Sequence, residues 1–382
     1  MVDAKSVKEF DWVMFVCALL LVAIGATFIW SAKYASNADE GPLSVPLVRR
    51  QIEYAALGVV FFAVLLMVHY LTFCRYAYAF YGIGIALLIF VLVKGSEAKG
   101  AARWISIGGQ QFQPSEFMKV ALVLCLARYL RFRESYRTFF GLVPPLLLTL
   151  VPMGLILLQP DLGTSLVLVP LPFIMLYAAG ARLKHLLPIL GMGLAAIPGL
   201  VVLHHLGYKL FLKEYQWARI LSFLDPQADA AGSGYQIIQS LIAVGSGGLF
   251  GKGLGAGTQN RLNFLPERHT DFIYSVIGEE WGFFGAVGVL VLYALIFVGG
   301  IGIAARTRET FGRLVAVGMM AVLGVQVLIN VGMTIRLCPV TGLTLPFISY
   351  GGSSLLSSFI MVSLVINVGM HRPMTLARET FE

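Results

Sequence analysis

The stretch FIYSVIGEEWGFFGAVGVLVLYALIFVGGIGIA, residues 272–304, decides the class of fold. Its final part, 281–304, holds no charged residue. A helix needs roughly 20 such residues to cross the hydrocarbon core of a membrane. Comparable apolar segments recur along the whole chain, so the stretch indicates a membrane-spanning helix that is one of many.

The composition supports the same conclusion. The 382 residues are 58% hydrophobic and only 13% charged, and the mean hydropathy is +0.82. Soluble domains carry about 25% charged residues, which cover their water-facing surface. The chain therefore has too little charge for a soluble protein, and we predict a multi-pass membrane protein.

The apolar segments predict an all-α polytopic fold with about ten transmembrane helices in a single domain, 1–382. The eighth and tenth exceed one bilayer crossing and are expected to include a re-entrant or outer-leaflet portion. The ten segments lie at roughly 12–31, 51–68, 76–94, 114–131, 139–158, 162–180, 185–206, 272–304, 312–334 and 345–370.

Charge predicts the orientation and a class of ligand. Lys and Arg concentrate in alternate loops, which places both termini in the cytoplasm of a cell whose inner membrane holds the chain. The remaining outer loops are still basic, and the net charge is +8. No soluble basic domain exists to hold nucleic acid, so the excess indicates a different anionic ligand.

One long extracytoplasmic loop, 207–271, separates the seventh and eighth predicted helices. It contains an expected amphipathic interfacial helix, LFLKEYQWARILSFL at 210–224. A glycine-rich run, GSGGLFGKGLGAGTQ, follows at 245–259. Loops of this length are usually functional.

Ionisable residues inside apolar segments are costly and mark candidate sites. Glu116 and Lys119 share a helix face at i,i+3 spacing, and we predict a buried ion pair, a cavity-lining pair, or both. Gln159, Pro160 and Asp161 have the composition of a turn.

A second polar stretch, LPERHTDFIYSVIGEEWG at 265–282, surrounds the start of the eighth helix. Thr270 or Asp271 could cap that helix. Glu279 and Glu280 fall about two turns inside it. The spacing of His269 and Asp271 is poor for chelation on a helix and does not favour a metal site.

A third stretch, TGLTLPFISYGGSSLL at 341–356, has the Pro and Gly density of a broken helix. Broken helices at membrane depth are tolerated where they line a cavity. Ser349, Tyr350, Gly351 and Gly352, with Ser353 and Ser354, are candidates to face one.

These stretches resemble the SEDS (shape, elongation, division and sporulation) family. The run NVGMTIRLCPVTGLTLPFISYGGSS at 330–354 is similar to its C-terminal signature. QPSEFMK at 113–119, QPDLGTS at 159–165 and LPERHTDF at 265–272 also match. The resemblance covers essentially the whole chain and is nearer to the rod-elongation branch, RodA, than to the division branch, FtsW.

The resemblance implies a peptidoglycan glycosyltransferase that polymerises lipid II at the outer face of the inner membrane during cell elongation. Asp271 matches the essential outer-loop aspartate and is the expected general base. The expected substrate-binding residues are Arg50, Arg103, Glu116, Lys119, Asp161, Arg219, Ser349 and Ser353. A class B penicillin-binding protein transpeptidase is the usual partner, with other elongation-complex membrane proteins. The chemistry makes a divalent cation, Mg²⁺ or Mn²⁺, plausible on the pyrophosphate, with Asp161 or Asp271 as ligand.

Two other functions fit the same residues. A lipid II flippase would use broken helices and an intramembrane Glu/Lys pair, but its polar residues should extend into the inner half of the membrane. The candidates here concentrate on the outer loops and helix ends. A non-catalytic scaffold that activates a penicillin-binding protein would keep the partner but not need Asp271.

Overall fold

The structure is a computed structural model that describes residues 9–34, 46–98, 101–107, 110–205, 214–229, 232–262, 264–265 and 267–371. The described residues are mostly helical, as the apolar segments predict. The predicted cytoplasmic termini lie outside the described residues. The helices are Trp12–Tyr34 (α1), Pro46–Met67 (α2), Tyr70–Lys94 (α3), Pro114–Phe132 (α4), Val143–Leu158 (α5), Leu162–Leu168 (α6), Pro170–Ala179 (α7), Leu183–His205 (α8), Glu214–Leu224 (α9), Ser233–Ser246 (α10), Thr258–Arg261 (α11), Ile273–Arg306 (α12), Thr310–Thr334 (α13) and Gly352–His371 (α14).

Many of the described helices are long and apolar enough to cross a membrane, as the sequence predicts. Among the described residues, 8 helical spans are long and apolar enough to cross a membrane, counting α6 and α7 as one. Helices α4, with 19 residues, and α8, with 23, are the other two of similar length. The prediction of a polytopic all-α membrane protein is confirmed, and the predicted count of about ten spans is approximate.

The centre of the bundle consists of α4, α13 and α14. Helix α14 is buried along most of its length, and it packs beside α2 and α13. Helix α4 carries more charge than the other spans because Glu116 and Lys119 lie in it, and both are buried. A polar pair of this kind is tolerated where it faces the bundle interior.

Several helix boundaries differ from the prediction. Helices α2 and α3 begin at Pro46 and Tyr70, about one and a half turns before the expected starts at 51 and 76. The last predicted span was wrong at its start, because 345–351 is not helical and α14 begins only at Gly352. The Pro and Gly residues of 341–356 therefore leave the backbone irregular before the helix, as their density indicated.

Helix α12 contains a break inside the eighth predicted span. Gly282 has a φ angle of 67° and a ψ angle of −162°, and this conformation does not occur inside a helix. The residues 273–281 thus form a short helix of their own, which we call the half-helix. The rest of α12, 283–306, is long enough to cross the membrane alone.

The loops between spans contain the remaining elements. A three-stranded antiparallel sheet, Ser96–Ala98 (β1), Ala101–Ile107 (β2) and Gln110–Phe112 (β3), lies between α3 and α4. This region lies between the third and fourth predicted spans, where no strand was predicted. The expected amphipathic helix is present as α9, while the part of it at 210–213 lies outside the described residues.

Candidate active site

A cavity of about 670 Å³ opens where the 341–351 segment meets the starts of α2, α4, α6 and α14. The loop that precedes the half-helix forms another wall. The expected catalytic and substrate-binding residues that line the cavity are Arg50, Arg103, Glu116, Asp161, Arg219, Asp271 and Ser353. The broken-helix candidates Tyr350, Gly351, Gly352 and Ser354 line it as well.

The loop that carries Asp271 is bound to the 341–351 segment through its backbone. Asn330 Nδ2 donates to the Asp271 main-chain oxygen at 3.0 Å and to the Leu343 oxygen at 2.6 Å. Ser349 Oγ donates to the Thr270 oxygen at 2.5 Å, and Leu345 N donates to Ser349 Oγ at 2.8 Å. These buried contacts join three pieces of chain and set the position of Asp271.

Asp271 does not cap the half-helix. The N-cap residue is Phe272, which makes no side-chain capping bond, and Thr270 Oγ1 instead donates to Glu267. The expectation that Thr270 or Asp271 caps the helix was therefore wrong. The carboxylate of Asp271 lines the cavity next to Gly342, where an added Cβ would lie 3.6 Å from Oδ2. Gly342 has φ +75, a conformation that favours glycine.

Three arginines from separate elements supply positive charge to the cavity. Arg50 lies on α2 and is exposed. Arg103, on β2, donates from Nε to the Gln159 oxygen at 3.0 Å and from Nη2 to the Pro160 oxygen. Arg219, on α9, donates from Nη1 to the Thr341 oxygen at 3.0 Å. The positive ends of the α4 and α14 dipoles also point to this region. The site is suited to an anion.

Glu116 and Lys119 form a buried ion pair, as one of the two readings predicted. Their Oε2 and Nζ atoms are 2.9 Å apart, and neither side chain is more than 4% exposed. Ser357 Oγ donates to Glu116 Oε2 at 2.9 Å, and Lys119 Nζ donates to Gln326 Oε1 at 3.1 Å. Glu116 lines the cavity, whereas Lys119 is not among its lining residues. Lys119 therefore lies behind the cavity wall and contacts the lining residue Glu116.

Asp161 acts as a structural cap as well as a wall residue. Its Oδ1 accepts from Thr164 N at 3.1 Å. Its Oδ2 accepts from Thr164 Oγ1 at 2.8 Å, Gln113 Nε2 at 3.2 Å and Ser115 Oγ at 3.3 Å. The carboxylate thus fixes the start of α6 against the start of α4, which agrees with the turn chemistry of 159–161.

The two serines expected to bind substrate, Ser349 and Ser353, have mainly structural contacts. Ser353 Oγ accepts from Gln113 N at 3.0 Å and faces the cavity. Ser349 is buried, does not line the cavity and ties Leu345 to Thr270.

A divalent cation finds no preformed protein site in the described part of the chain. No group of three or more His, Cys, Asp or Glu residues there is arranged to hold a metal ion. Both oxygens of Asp161 are already hydrogen-bonded, and Glu116 is paired with Lys119. Any metal at this cavity would therefore depend on oxygens from a ligand.

Sequence reasoning missed several lining residues, notably Tyr54, Trp104, Gln113 and Thr344. The signal for Tyr54 was its i,i+4 spacing from Arg50, which places both on one face of α2. Gly352 packs under the Tyr54 ring, where an added Cβ would lie 2.5 Å from Cζ. This contact explains one glycine of the SYGGSS run.

The chain is similar to one protein family along nearly its whole length. The model of the FtsW/RodA/SpoVE family, described as cell cycle protein, matches residues 11–374. A relative from Geobacter sp. (strain M18), named probable peptidoglycan glycosyltransferase FtsW, is 38% identical over 95% of this chain and 98% of its own.

Two solved structures have the same fold. A chain from a structure described as "Structural coordination of polymerization and crosslinking by a peptidoglycan synthase complex" is 37% identical, with a TM-score of 0.77 over 95% of this chain and 98% of that chain. The rod shape determining protein RodA of Thermus thermophilus is 33% identical, with a TM-score of 0.69 over 96% and 98%.

Proposed function

The chain belongs to the FtsW/RodA/SpoVE family, and from this premise we propose that it is a peptidoglycan glycosyltransferase. The proposed reaction polymerises lipid II into glycan strands at the outer face of the inner membrane, and the proposed setting is cell elongation. The observation that carries the proposal is the single cavity that holds Asp271 together with Arg50, Arg103 and Arg219.

The proposed chemistry is glycosyl transfer with inversion. The 4-hydroxyl oxygen of the acceptor sugar forms a bond to the anomeric carbon of the donor. The bond from that carbon to the lipid pyrophosphate breaks, and the pyrophosphate leaves with the electron pair. Asp271 takes the hydroxyl proton, a role that contributes roughly 10²–10⁴-fold to the rate. Its position is supported by the backbone bond from Asn330.

The leaving pyrophosphate needs positive charge, because negative charge develops on it during the reaction. One arginine can donate two parallel hydrogen bonds to the oxygens of a phosphate group, so arginine suits this task. Arg103 and Arg219 are already oriented by carbonyl oxygens, while Arg50 is exposed and available to a ligand. A second carboxylic acid is unnecessary, since pyrophosphate is a good leaving group.

Mg²⁺ or Mn²⁺ belongs to the proposal as a substrate-bound ion. With no all-protein metal site among the described residues, the pyrophosphate oxygens would supply most ligands. Hard divalent cations commonly bind in this way through one or two carboxylates and phosphate oxygens. Asp161 or Asp271, which both line the cavity, would supply the carboxylate oxygen.

The proposed partner is a class B penicillin-binding protein transpeptidase of the elongation type. The similar chain in a peptidoglycan synthase complex, whose description couples polymerisation with crosslinking, supports this assignment. The rod shape determining protein among the similar structures supports a role in elongation. Termini in the cytoplasm and a cavity at the outer face complete the proposed orientation.

The test is a reconstitution in lipid vesicles with labelled lipid II and the transpeptidase, whose crosslinking is blocked by a penicillin. We expect a ladder of glycan polymers when both proteins are present and none with the transpeptidase alone. Movement of lipid II between leaflets without a ladder would instead identify a flippase. In a parallel reaction without penicillin, stimulated crosslinking of preformed strands, with no ladder made from lipid II, would identify a scaffold.

A further inference from the structure

The break in α12 at Gly282 leaves backbone groups without their helical partners. The carbonyl groups just before a break and the N–H groups just after it lose their i,i+4 bonds. In a membrane-spanning helix such groups must be satisfied by other parts of the protein. The half-helix 273–281 can keep its position only if something replaces those bonds.

The residues 247–258, which we call the glycine segment, replace them. Lys252 N donates to the main-chain oxygen of Glu279, and Gly253 N donates to the main-chain oxygen of Glu280, each at 3.0 Å. In return, Phe283 N donates to the Gly248 oxygen at 2.9 Å, and Phe284 N donates to the Leu249 oxygen at 3.2 Å. Four backbone hydrogen bonds thus span the break on both sides of Gly282.

The glycines are required for this close approach. An added Cβ at Gly247 would lie 2.0 Å from the Gly278 oxygen, and one at Gly251 would lie 2.2 Å from the Glu280 oxygen. Gly245, two residues earlier, has nothing within 4 Å of its added Cβ. The glycine-rich composition therefore reflects contact with the half-helix and not only a flexible loop.

The side chains of Glu279 and Glu280 fasten the same segment. Glu279 Oε1 accepts from Lys252 Nζ at 2.7 Å, Thr258 N at 2.8 Å and Gln259 N at 3.1 Å. The Glu279 side chain is fully buried, and that of Lys252 is 27% exposed.

Glu280 connects the segment to α1. Ser31 Oγ lies 2.7 and 2.6 Å from its two carboxylate oxygens, and Gly255 N donates to Oε2 at 3.0 Å. Glu280 is also buried. These contacts explain two acidic residues that lie deep in an apolar stretch and do not line the cavity.

Both ends of the half-helix are therefore held by different parts of the chain. Asn330 and Ser349 bind the residues before its start. The glycine segment and the two glutamates bind its end. Asp271 lies two residues before Ile273, where the half-helix begins. A shift of the half-helix would move Asp271 relative to the three arginines.

We propose that the glycine segment is a clamp that fixes the half-helix, and that Glu279 and Glu280 are positioning residues for Asp271. The inference rests on the proposed role of Asp271 in glycosyl transfer. Whether the glycine segment holds the half-helix in place can be tested by hydrogen exchange, without measuring enzyme activity.

The experiment compares Gly247→Ala with its matched control Gly245→Ala in full-length protein in lipid nanodiscs. Two readouts are taken: hydrogen exchange of the 273–281 amides, and kcat and KM for lipid II with the transpeptidase present. For Gly247→Ala we expect exchange at 273–281 to be about tenfold faster, since the helix opens locally. We expect kcat to fall about 10- to 100-fold with KM nearly unchanged, because displaced catalytic groups act on the chemical step. Gly245→Ala should match the unaltered protein in both readouts.

A second variant guards against misfolding of Gly247→Ala. Glu279→Gln has the same shape and leaves Lys252 able to reach water, so we expect it to fold. For this variant we also expect faster exchange at 273–281 and a lower kcat, with both changes smaller than in Gly247→Ala. The exposed Glu134→Gln serves as its control, because Glu134 is 78% exposed.

Three outcomes would overturn the proposal: unchanged exchange at 273–281 in both variants, faster exchange throughout the chain, or a kcat within twofold of the unaltered protein. If the unaltered protein makes no polymer, the proposed function fails. The exchange at 273–281 then still decides whether the clamp exists.

Discussion

Asn330 Nδ2 donates a hydrogen bond of 3.0 Å to the main-chain oxygen of Asp271, across 59 residues of sequence. The same Nδ2 atom donates its second proton to the main-chain oxygen of Leu343, and the two heavy atoms are 2.6 Å apart. One buried amide therefore joins the carboxylate-bearing loop to the irregular segment that forms the cavity wall. The position of the proposed base depends on this side chain.

We expect Asn330→Ala to lower both stability and activity. It leaves two buried carbonyl oxygens without their donor, which costs about 1–3 kcal/mol. Polymerisation per folded molecule should fall about 10- to 100-fold, because Asp271 is displaced. The measurements are thermal unfolding in detergent and the initial rate of glycan formation.

Asn367→Ala is the matched control. Asn367 Nδ2 also donates to two main-chain oxygens, those of Leu65 and Val68, each at 2.7 Å. It lies near the far end of α14, so its loss should reduce stability similarly but leave the rate per folded molecule unchanged. Equal losses of rate in both variants would contradict the assigned role of Asn330.

Arg50→Ala should lower kcat/KM for lipid II by about 10- to 100-fold, since a hydrogen bond to a charged group contributes about 1.5–3 kcal/mol. Its neighbour Arg49 pairs with Glu53 at 3.0 Å and is not a lining residue. Arg49→Ala should therefore stay within about twofold of the unaltered protein, as an exposed pair contributes about 0–1 kcal/mol. Steady-state kinetics of both variants measure the difference, and a smaller effect for Arg50 than for Arg49 would remove Arg50 from the site.

Lys119→Met should be among the most destabilising single changes in the bundle. It leaves Glu116 buried without its cation, at a cost of about 3–5 kcal/mol. The double variant Glu116→Gln with Lys119→Met should recover part of the loss, since no uncompensated charge remains. Thermal unfolding of the single and double variants provides the test. A double variant as unstable as the sum of both singles would show that the two residues do not act as a pair.

Removal of divalent cations should affect activity without affecting the fold. No metal site is preformed among the described residues, so a cation would bind mainly through the substrate. A chelator should suppress polymer formation, and Mg²⁺ or Mn²⁺ should restore it. Without lipid II, the same cations should leave the unfolding temperature unchanged, because only a ligand that binds the folded state raises it. A clear rise would reveal a protein-only site.

The sequence predicted the features that depend on local composition. Apolar length predicted the spans, and the density of Pro and Gly predicted the irregular backbone before Gly352. The basic loops predicted an anion site, and Arg50, Arg103 and Arg219 do line one cavity.

Features that depend on contacts between distant segments were not predictable from one sequence. Glu279 and Glu280 stood out as costly charges, but nothing local indicated that they bind Lys252 and Ser31. The family resemblance implied that Lys119 binds substrate, and the i,i+3 spacing allowed either a cavity-lining pair or a buried pair, which one sequence does not distinguish. The early starts of α2 and α3 were missed because polar residues such as Arg49 lower the local hydropathy without preventing a helix.

The most direct test of the account compares Asp271→Asn with Asp225→Asn, an exposed aspartate of the same long loop. Each is purified with the transpeptidase and supplied with labelled lipid II, and the products are separated on a gel. The account predicts glycan polymers from the unaltered protein and from Asp225→Asn, and at least about a 100-fold loss from a folded Asp271→Asn. Equal polymer from Asp271→Asn would contradict the assignment of Asp271 as the general base.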